Sequence, residues 1–194
     1  MNIQRPISKQ PLPAYAKKVF EGVIFDTYQW EQKMFDGTVS IFEKIKRPDT
    51  VVVFAVLDNG KIILTKEEQP GKEPFIGVPG GRVNEGEEIL TAAKRELLEE
   101  TGCEASDFVL WKSLQPVSKI EWALYVFIAR GARKKEDLNL DSGEKIETME
   151  VDFDEFLNIA IQEGFDEPEI YKEVVDALSD KNKKEKLRKF LFEK

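Results

Sequence analysis

Glutamates crowd one short stretch of this chain. Glu96, Glu99 and Glu100 stand at i, i+3 and i+4 in the run ILTAAKRELLEET, so a helix there puts three carboxylates on one face. Ile89, Leu90, Ala93 and Leu97 then form an apolar stripe on another face, the pattern of a helix docked on a core. Helix-favouring residues run from Glu87 to Thr101 and Gly102 stops them, while Pro79, Gly80, Gly81, Asn84 and Gly86 make the approach a tight loop. Glu87 can reach the acidic face from that approach. Like charges on adjacent turns destabilise a bare helix by roughly 0.2–0.5 kcal/mol per pair, so something should offset the repulsion. Such a face is either a solvated charged surface or a cation site. Carboxylate oxygens suit Mg²⁺, or Mn²⁺ in its place, and these ions usually share their coordination with water and substrate phosphates.

The acids belong to a longer pattern: Gly81, five residues, Glu87, seven residues, then Arg95-Glu96-Leu97-x-Glu99-Glu100-x-Gly102. At ordinary residue frequencies these positions agree by accident roughly once in ten million starting points or less. The pattern resembles the signature of the Nudix hydrolases. It departs only at its last position, where the family prefers an aliphatic residue and Cys103 stands; a small buried thiol fills that role.

Composition narrows the remaining chemistry. The 194 residues, 41% hydrophobic, suffice for one full core. One cysteine forbids an internal disulfide, and the absence of histidine excludes a Ser-His or Cys-His pair and a histidine-ligated zinc site. Catalysis must run on carboxylates, lysine, arginine and metal. A net charge of −8 argues against nucleic acid or an anionic membrane as partner. No apolar run reaches spanning length and MNIQRPISKQPLP lacks the apolar core of a signal peptide, so the expected location is cytoplasmic.

The elements that position the acids can be read in order. Residues 1–13, with three prolines, predict a loose or surface-laid arm. VFEGVIFDTYQWEQKM, the Asp36-Gly37 turn and TVSIFEKIKR predict an antiparallel hairpin, and its Tyr28, Trp30 and Phe35 are either core or interface filling or a stacking surface for a nucleobase. Thr50 to Leu57 and Lys61 to Thr65 predict a second, central hairpin. Glu67 to Pro74 reads as a polar turn and Phe75 to Val78 as a short strand. Phe108 to Leu114, Trp122 to Ala129 and Lys145 to Val151 read as strands, with Arg130 to Gly143 loop-like between the last two. Asp154 is the expected cap of a helix from Glu155 to Gln162; Glu167 to Leu178 is helical, and Leu187, Phe190 and Leu191 predict a docked terminal helix. This is an α/β chain, and the resemblance implies a Nudix-type α/β/α sandwich with a mixed sheet: residues 1–47 as arm and hairpin extension, residues 48–194 as the hydrolase domain.

The flanks resemble the branch of ADP-ribose pyrophosphatases and nucleoside-diphosphate-sugar hydrolases. Pro116 follows the signature by thirteen residues, close to the branch's spacing. Where members often carry an RQYRP-like stretch, Lys66, Glu67, Glu68, Gln69 and Pro70 stand here, and the loop reads PGG instead of PAG. The resemblance implies a small-molecule nucleotide substrate and cleavage of its diphosphate bond. It implies Mg²⁺ on Glu96, Glu99 and Glu100 with the Gly80 carbonyl and Glu87, Arg95 orienting a glutamate, and substrate contacts from Tyr28, Trp30, Lys66, Gln69 and Pro116. The base would come from LDSGEKIE; Glu144 is chosen over Asp141 and Glu147, the other reading being that these acids merely solvate a loop. The branch further implies a homodimer exchanging the hairpin extension. Two other functions stand beside this one: hydrolysis of non-standard nucleoside triphosphates, and nucleotide sensing without catalysis. The intact glutamates count against the sensor, which has no need of three repelling carboxylates.

Overall fold

The computed structural model describes residues 3–193. Its strands are β1 Lys17–Glu21, β2 Asp26–Lys33, β3 Val39–Lys46, β4 Thr50–Leu57, β5 Ile62–Gln69, β6 Lys72–Gly77, β7 Gly80–Arg82, β8 Cys103–Glu104, β9 Asp107–Leu114, β10 Ile120–Glu121, β11 Leu124–Lys134 and β12 Lys145–Val151. Its helices are α1 Ile89–Thr101, α2 Phe153–Ile159, α3 Tyr171–Ser179 and α4 Lys181–Phe192, with a 3₁₀ turn at Pro168–Ile170.

The apolar run TVVVFAVL makes β4 the centre of the larger sheet, paired in parallel with β11 and antiparallel with β5 and β7. Alternate residues of these strands serve opposite faces. Val51, Val53, Ala55, Tyr125, Phe127 and Ala129 pack with Ala92, Ala93 and Leu97 of α1. Phe54, Val56, Val126 and Ile128 pack with Phe156, Leu157, Val174, Leu187 and Leu191 of the last three helices. A mixed sheet between helices results, the expected sandwich, and Cys103 is buried on the α1 side.

A smaller sheet, ordered β1-β2-β3-β10, carries the N-terminal strands. The expected two-stranded hairpin is in fact three strands, because Gly22 to Phe25 turns the first run back on itself; a side chain at Gly22 would meet the Phe25 carbonyl at 2.5 Å. The arm lies on the seam with the larger sheet. Arg5 bonds Asp49 and Glu121, and Lys44, 2% exposed, donates to Glu121 (2.7 Å), Ser8 Oγ (2.8 Å) and the Gln10 carbonyl (2.6 Å).

Three other expectations are corrected. The supposed polar turn from Glu67 to Pro74 is mostly strand, the reversal being confined to Pro70-Gly71, where Gly71 takes φ 78°. β11 runs to Lys134, through residues expected to be loop, since Arg130 is buried and satisfied by Asp107 and the carbonyls of Phe190 and Leu191. α2 starts earlier, capped by Asp152, whose side chain accepts the Glu155 amide at 2.8 Å. The terminal helix docks as expected, with Leu187 and Leu191 buried. No described helix is long and apolar enough to cross a membrane.

Burial alone would raise the Glu121 carboxyl, yet hydrogen bonds from Lys44, Arg5 and Gln115 hold it below its ordinary value. That contribution is present above the unfolded pKa and is lost as pH falls through the folded one. Lys44→Ala should cost about 2–4 kcal/mol in urea unfolding at pH 7, because it strips the partly buried Glu121 carboxylate of one of its two cations and empties the space of a buried side chain; a loss under about 0.5 kcal/mol would mean Arg5 suffices.

Candidate active site

The acidic cluster is built by α1 and the strand before it. β7 pairs with β4 so closely that a side chain at Gly80 would meet the Val51 carbonyl at 2.5 Å, and one at Gly81 would collide with the Glu96 carboxylate. The Gly80 amide donates to Glu100 Oε2 at 2.9 Å. Arg95 gathers the remaining acids: Glu87 through two bonds of 2.9 and 3.0 Å, Glu96 at 2.8 Å, Glu99 at 2.9 Å, and the Arg82 carbonyl at 2.9 Å. Glu87 also accepts the Asn84 amide at 3.0 Å. Arg95 thus bonds Glu87, Glu96 and Glu99 at once.

Glu96 and Glu100 are buried, while Glu99 is partly open. Hydrogen bonds from Arg95 hold Glu87 below the usual carboxylate range. Burial raises Glu96, and burial, reinforced by the charges of Glu67, Glu96 and Glu144, pushes Glu100 up to about 9. Among the described residues no group of three acids is poised to cage a cation unaided. The donor set, all oxygen and short of positive charge, nonetheless fits a hard divalent cation.

These residues line a cavity of about 430 Å³, with Ile24, Phe25, Arg47, Gln69, Arg82, Asn84, Asn139, Asp141 and Glu144. The loop carrying Asp141 and Glu144 is tied to the end of α1: the Lys135 and Glu136 amides donate to the Gly102 carbonyl, and the Asn139 amide donates to that of Glu99. Arg47 stacks over Trp122 (4.8 Å) and Phe25 (5.8 Å), and its buried Nε has no hydrogen-bond partner. Burial, and then the charge of Arg82, lowers its pKa.

Of the expected site residues, Gly80, Arg95, Glu96, Glu99, Glu100, Gln69 and Glu144 come together, with Glu87 joined through Arg95. Tyr28 and Trp30 do not line the cavity of their own chain; Trp30 is buried against Phe42, its Nε1 donating to Gln32. Lys66 and Glu147 lie opposite each other on β5 and β12 and line a different cavity, and Pro116 is exposed on the β9–β10 connection. The residues that sequence reasoning missed are Phe25, Arg47, Arg82 and Asn139. A basic KIKR directly before the central apolar strand was the available signal for Arg47.

Comparison with known proteins identifies the family. The family model of the NUDIX domain matches residues 46–174. The chain belongs to the Nudix family. It is 32% identical over 146 residues to an ADP-ribose pyrophosphatase of Bacillus subtilis (strain 168), covering 74% of this chain and 79% of that protein. It is 28% identical over 145 residues to a methanol dehydrogenase activator of Bacillus methanolicus, covering 73% and 78%. A crystal structure of an ADP compounds hydrolase shares the fold, with TM-score 0.69 at 21% identity over 90% of this chain and 93% of that one. This Nudix chain is therefore a hydrolase, placed in the ADP-ribose pyrophosphatase-like branch.

A Glu100 carboxyl at about 9 against an ordinary 4.5 takes up a proton on folding, so the metal-free Nudix chain loses stability as pH rises through that window. In chelator-treated protein, Glu100→Gln should flatten the fall in melting temperature between those values and lift its alkaline end. Parallel curves for the two proteins would remove the assignment.

Proposed function

We propose that the chain hydrolyses the diphosphate bond of a nucleoside diphosphate linked to a second moiety, with ADP-ribose the first candidate and AMP and ribose 5-phosphate the products. One observation carries the reading: Arg47, whose buried Nε has no partner among the described residues, shares a single cavity with the acids of α1. A diphosphate placed between them meets a cation on one side and carboxylates able to hold a cation on the other. The relative named ADP-ribose pyrophosphatase supports this substrate class.

Mg²⁺, with Mn²⁺ as the alternative, would be held by Glu96, Glu99 and Glu100, with the Gly80 carbonyl beside them; when bound it neutralises phosphate charge and acidifies water. Glu87, committed to Arg95 and the Asn84 amide, acts by fixing Arg95, which in turn sets Glu96 and Glu99. Glu144 accepts the proton of a water whose oxygen attacks one phosphorus, and the bridging oxygen leaves with the other phosphoryl group. Arg47 and Gln69 take up phosphate oxygens. Of the other loop acids, Asp141 also faces the cavity and Glu147 does not.

The homodimer belongs to the same proposal. Val19, Phe20, Val39 and Ile41 are each more than half exposed on β1 and β3, an apolar surface that a second copy would cover; Trp30, 4% exposed and on the opposite face from Ile41, stays with its own chain.

Incubation with ADP-ribose, other nucleotide sugars and nucleoside triphosphates under Mg²⁺, with phosphorylated products quantified, tests the reaction. Nucleotide sugars should be cleaved fastest, and far faster cleavage of triphosphates would overturn the substrate. Glu99→Gln should lower kcat by about 10²-fold or more with the fold intact, and Glu144→Gln should lower kcat with little change in KM. A silent Glu144→Gln beside a damaging Asp141→Asn would move the base. Light scattering at micromolar concentration should report a dimer that Ile41→Glu dissociates; a monomeric parent chain would sink that part.

A further inference from the structure

The N-terminal arm acts on the glutamate cavity without lining it. Arg5, on the arm, holds Asp49 through Nε at 2.8 Å and Nη2 at 3.0 Å, and its Nη1 donates to Glu121 at 2.7 Å. Asp49 and Glu121 lie just ahead of the parallel neighbours β4 and β11, and their segments are laced together. The Ala123 amide donates to Asp49 Oδ1 at 2.8 Å, and the Thr50 amide to the Ala123 carbonyl at 2.9 Å. The Arg47 amide donates to the Glu121 carbonyl at 3.3 Å, and Trp122 Nε1 to Thr50 Oγ1 at 3.0 Å. Arg47 precedes Asp49 by two residues, and Trp122 follows Glu121 directly. The guanidinium of Arg47 and the indole on which it stacks are therefore carried by the two segments that Arg5 joins.

Arg47 Nε makes no hydrogen bond, so its guanidinium takes its direction from the rings beside it. Of these, Phe25 sits on the turn between β1 and β2 and is 41% exposed, which makes it the looser support. The direction of Arg47 is thus set mainly by where Trp122 stands, and Trp122 stands where the spacing of Asp49 and Glu121 puts it. An arginine fork suits that task, because its planar guanidinium donates to two carboxylates in fixed directions. Among the described residues Arg5 is the one side chain bonded to both acids; Lys44 holds Glu121 without Asp49. We propose that Arg5 is a positioning residue that fixes the separation of Asp49 and Glu121, and through it the Trp122 platform that aims Arg47 at a phosphate of the bound nucleotide. The inference rests on the reading of Arg47 as a phosphate partner in a nucleotide-sugar diphosphatase. A side chain of the arm then tunes substrate binding without touching substrate, and its effect falls on binding more than on the chemical step.

The Arg5 side chain is 40% exposed and belongs to neither core, so Arg5→Ala leaves both cores whole. Asp49→Asn, which keeps an acceptor for the Ala123 amide, takes its place should that variant fail to fold. KM for ADP-ribose should rise about fivefold in Arg5→Ala with kcat within about twofold, and adding Arg5→Ala to Arg47→Ala should raise KM no further. A KM unaltered by Arg5→Ala, or raised by the same factor in both backgrounds, overturns the proposal, since a general loosening acts whether or not Arg47 is present. A further readout needs no turnover. In protein carrying fluorinated tryptophan at its three indoles, the fluorine resonance of Trp122, identified by its loss in Trp122→Phe, should move in Arg5→Ala while those of Trp30 and Trp111 stay. A Trp122 resonance that stays put, or that moves together with both others, overturns the brace. If it moves alone and the parent chain cleaves no nucleotide sugar, the proposed reaction fails and the brace stands.

Discussion

Concentrating carboxylates on one buried helix face with a single guanidinium among them is the constraint on which the rest of this structure depends. Glu96 and Glu100 are nearly sealed from water, and the one guanidinium of Arg95 serves Glu87, Glu96 and Glu99, with the Asn84 amide also donating to Glu87. Left free, such a helix would turn its acids to solvent. It cannot turn, because Ala92, Ala93 and Leu97 are locked against Val51 and Val53 of the central strand. Small residues at 92 and 93 and none but glycine at 80 and 81 allow the helix, β7 and β4 to approach this closely. The stability of the hydrophobic face holds an electrostatically unfavourable one in place, and that stored repulsion is what a bound cation would relieve.

Much of this was legible in the residues themselves. The i, i+3, i+4 acids, the Gly102 stop and the continuous apolar run of β4 each obey a local rule, and local rules survive folding. The Arg95–Glu99 bond is an i, i+4 contact of the same periodicity, whereas the orienting role expected of Arg95 came from the family resemblance. Arg47 was not legible. Its importance lies in having no partner, which is a property of surrounding elements from Phe25 to Trp122 and is written nowhere near residue 47.

The errors have a common cause. Arg130 and Glu67 were read as loop residues because charge normally marks solvent. Both are buried in strands, Arg130 because two carbonyls of α4 and Asp107 complete its hydrogen bonds, Glu67 with the Thr65 hydroxyl donating to it. Lys44 is the same case in the smaller sheet, with the N-terminal arm supplying Ser8 and Gln10 as its lining. Buried charge in this fold marks places where distant segments meet, and sequence windows cannot see such meetings.

Gly102 carries a consequence beyond ending α1. It sits at φ 64°, and a side chain there would run into the Glu136 carbonyl and the Lys134 ammonium group. The same residue's carbonyl receives the amides of Lys135 and Glu136, the first stitches of the segment that leads to Glu144. The ruler that sets the length of the helix therefore also sets where the opposite wall of the cavity begins. Any residue but glycine would shift both walls together, changing the width of the gap between them without altering a single group that lines it.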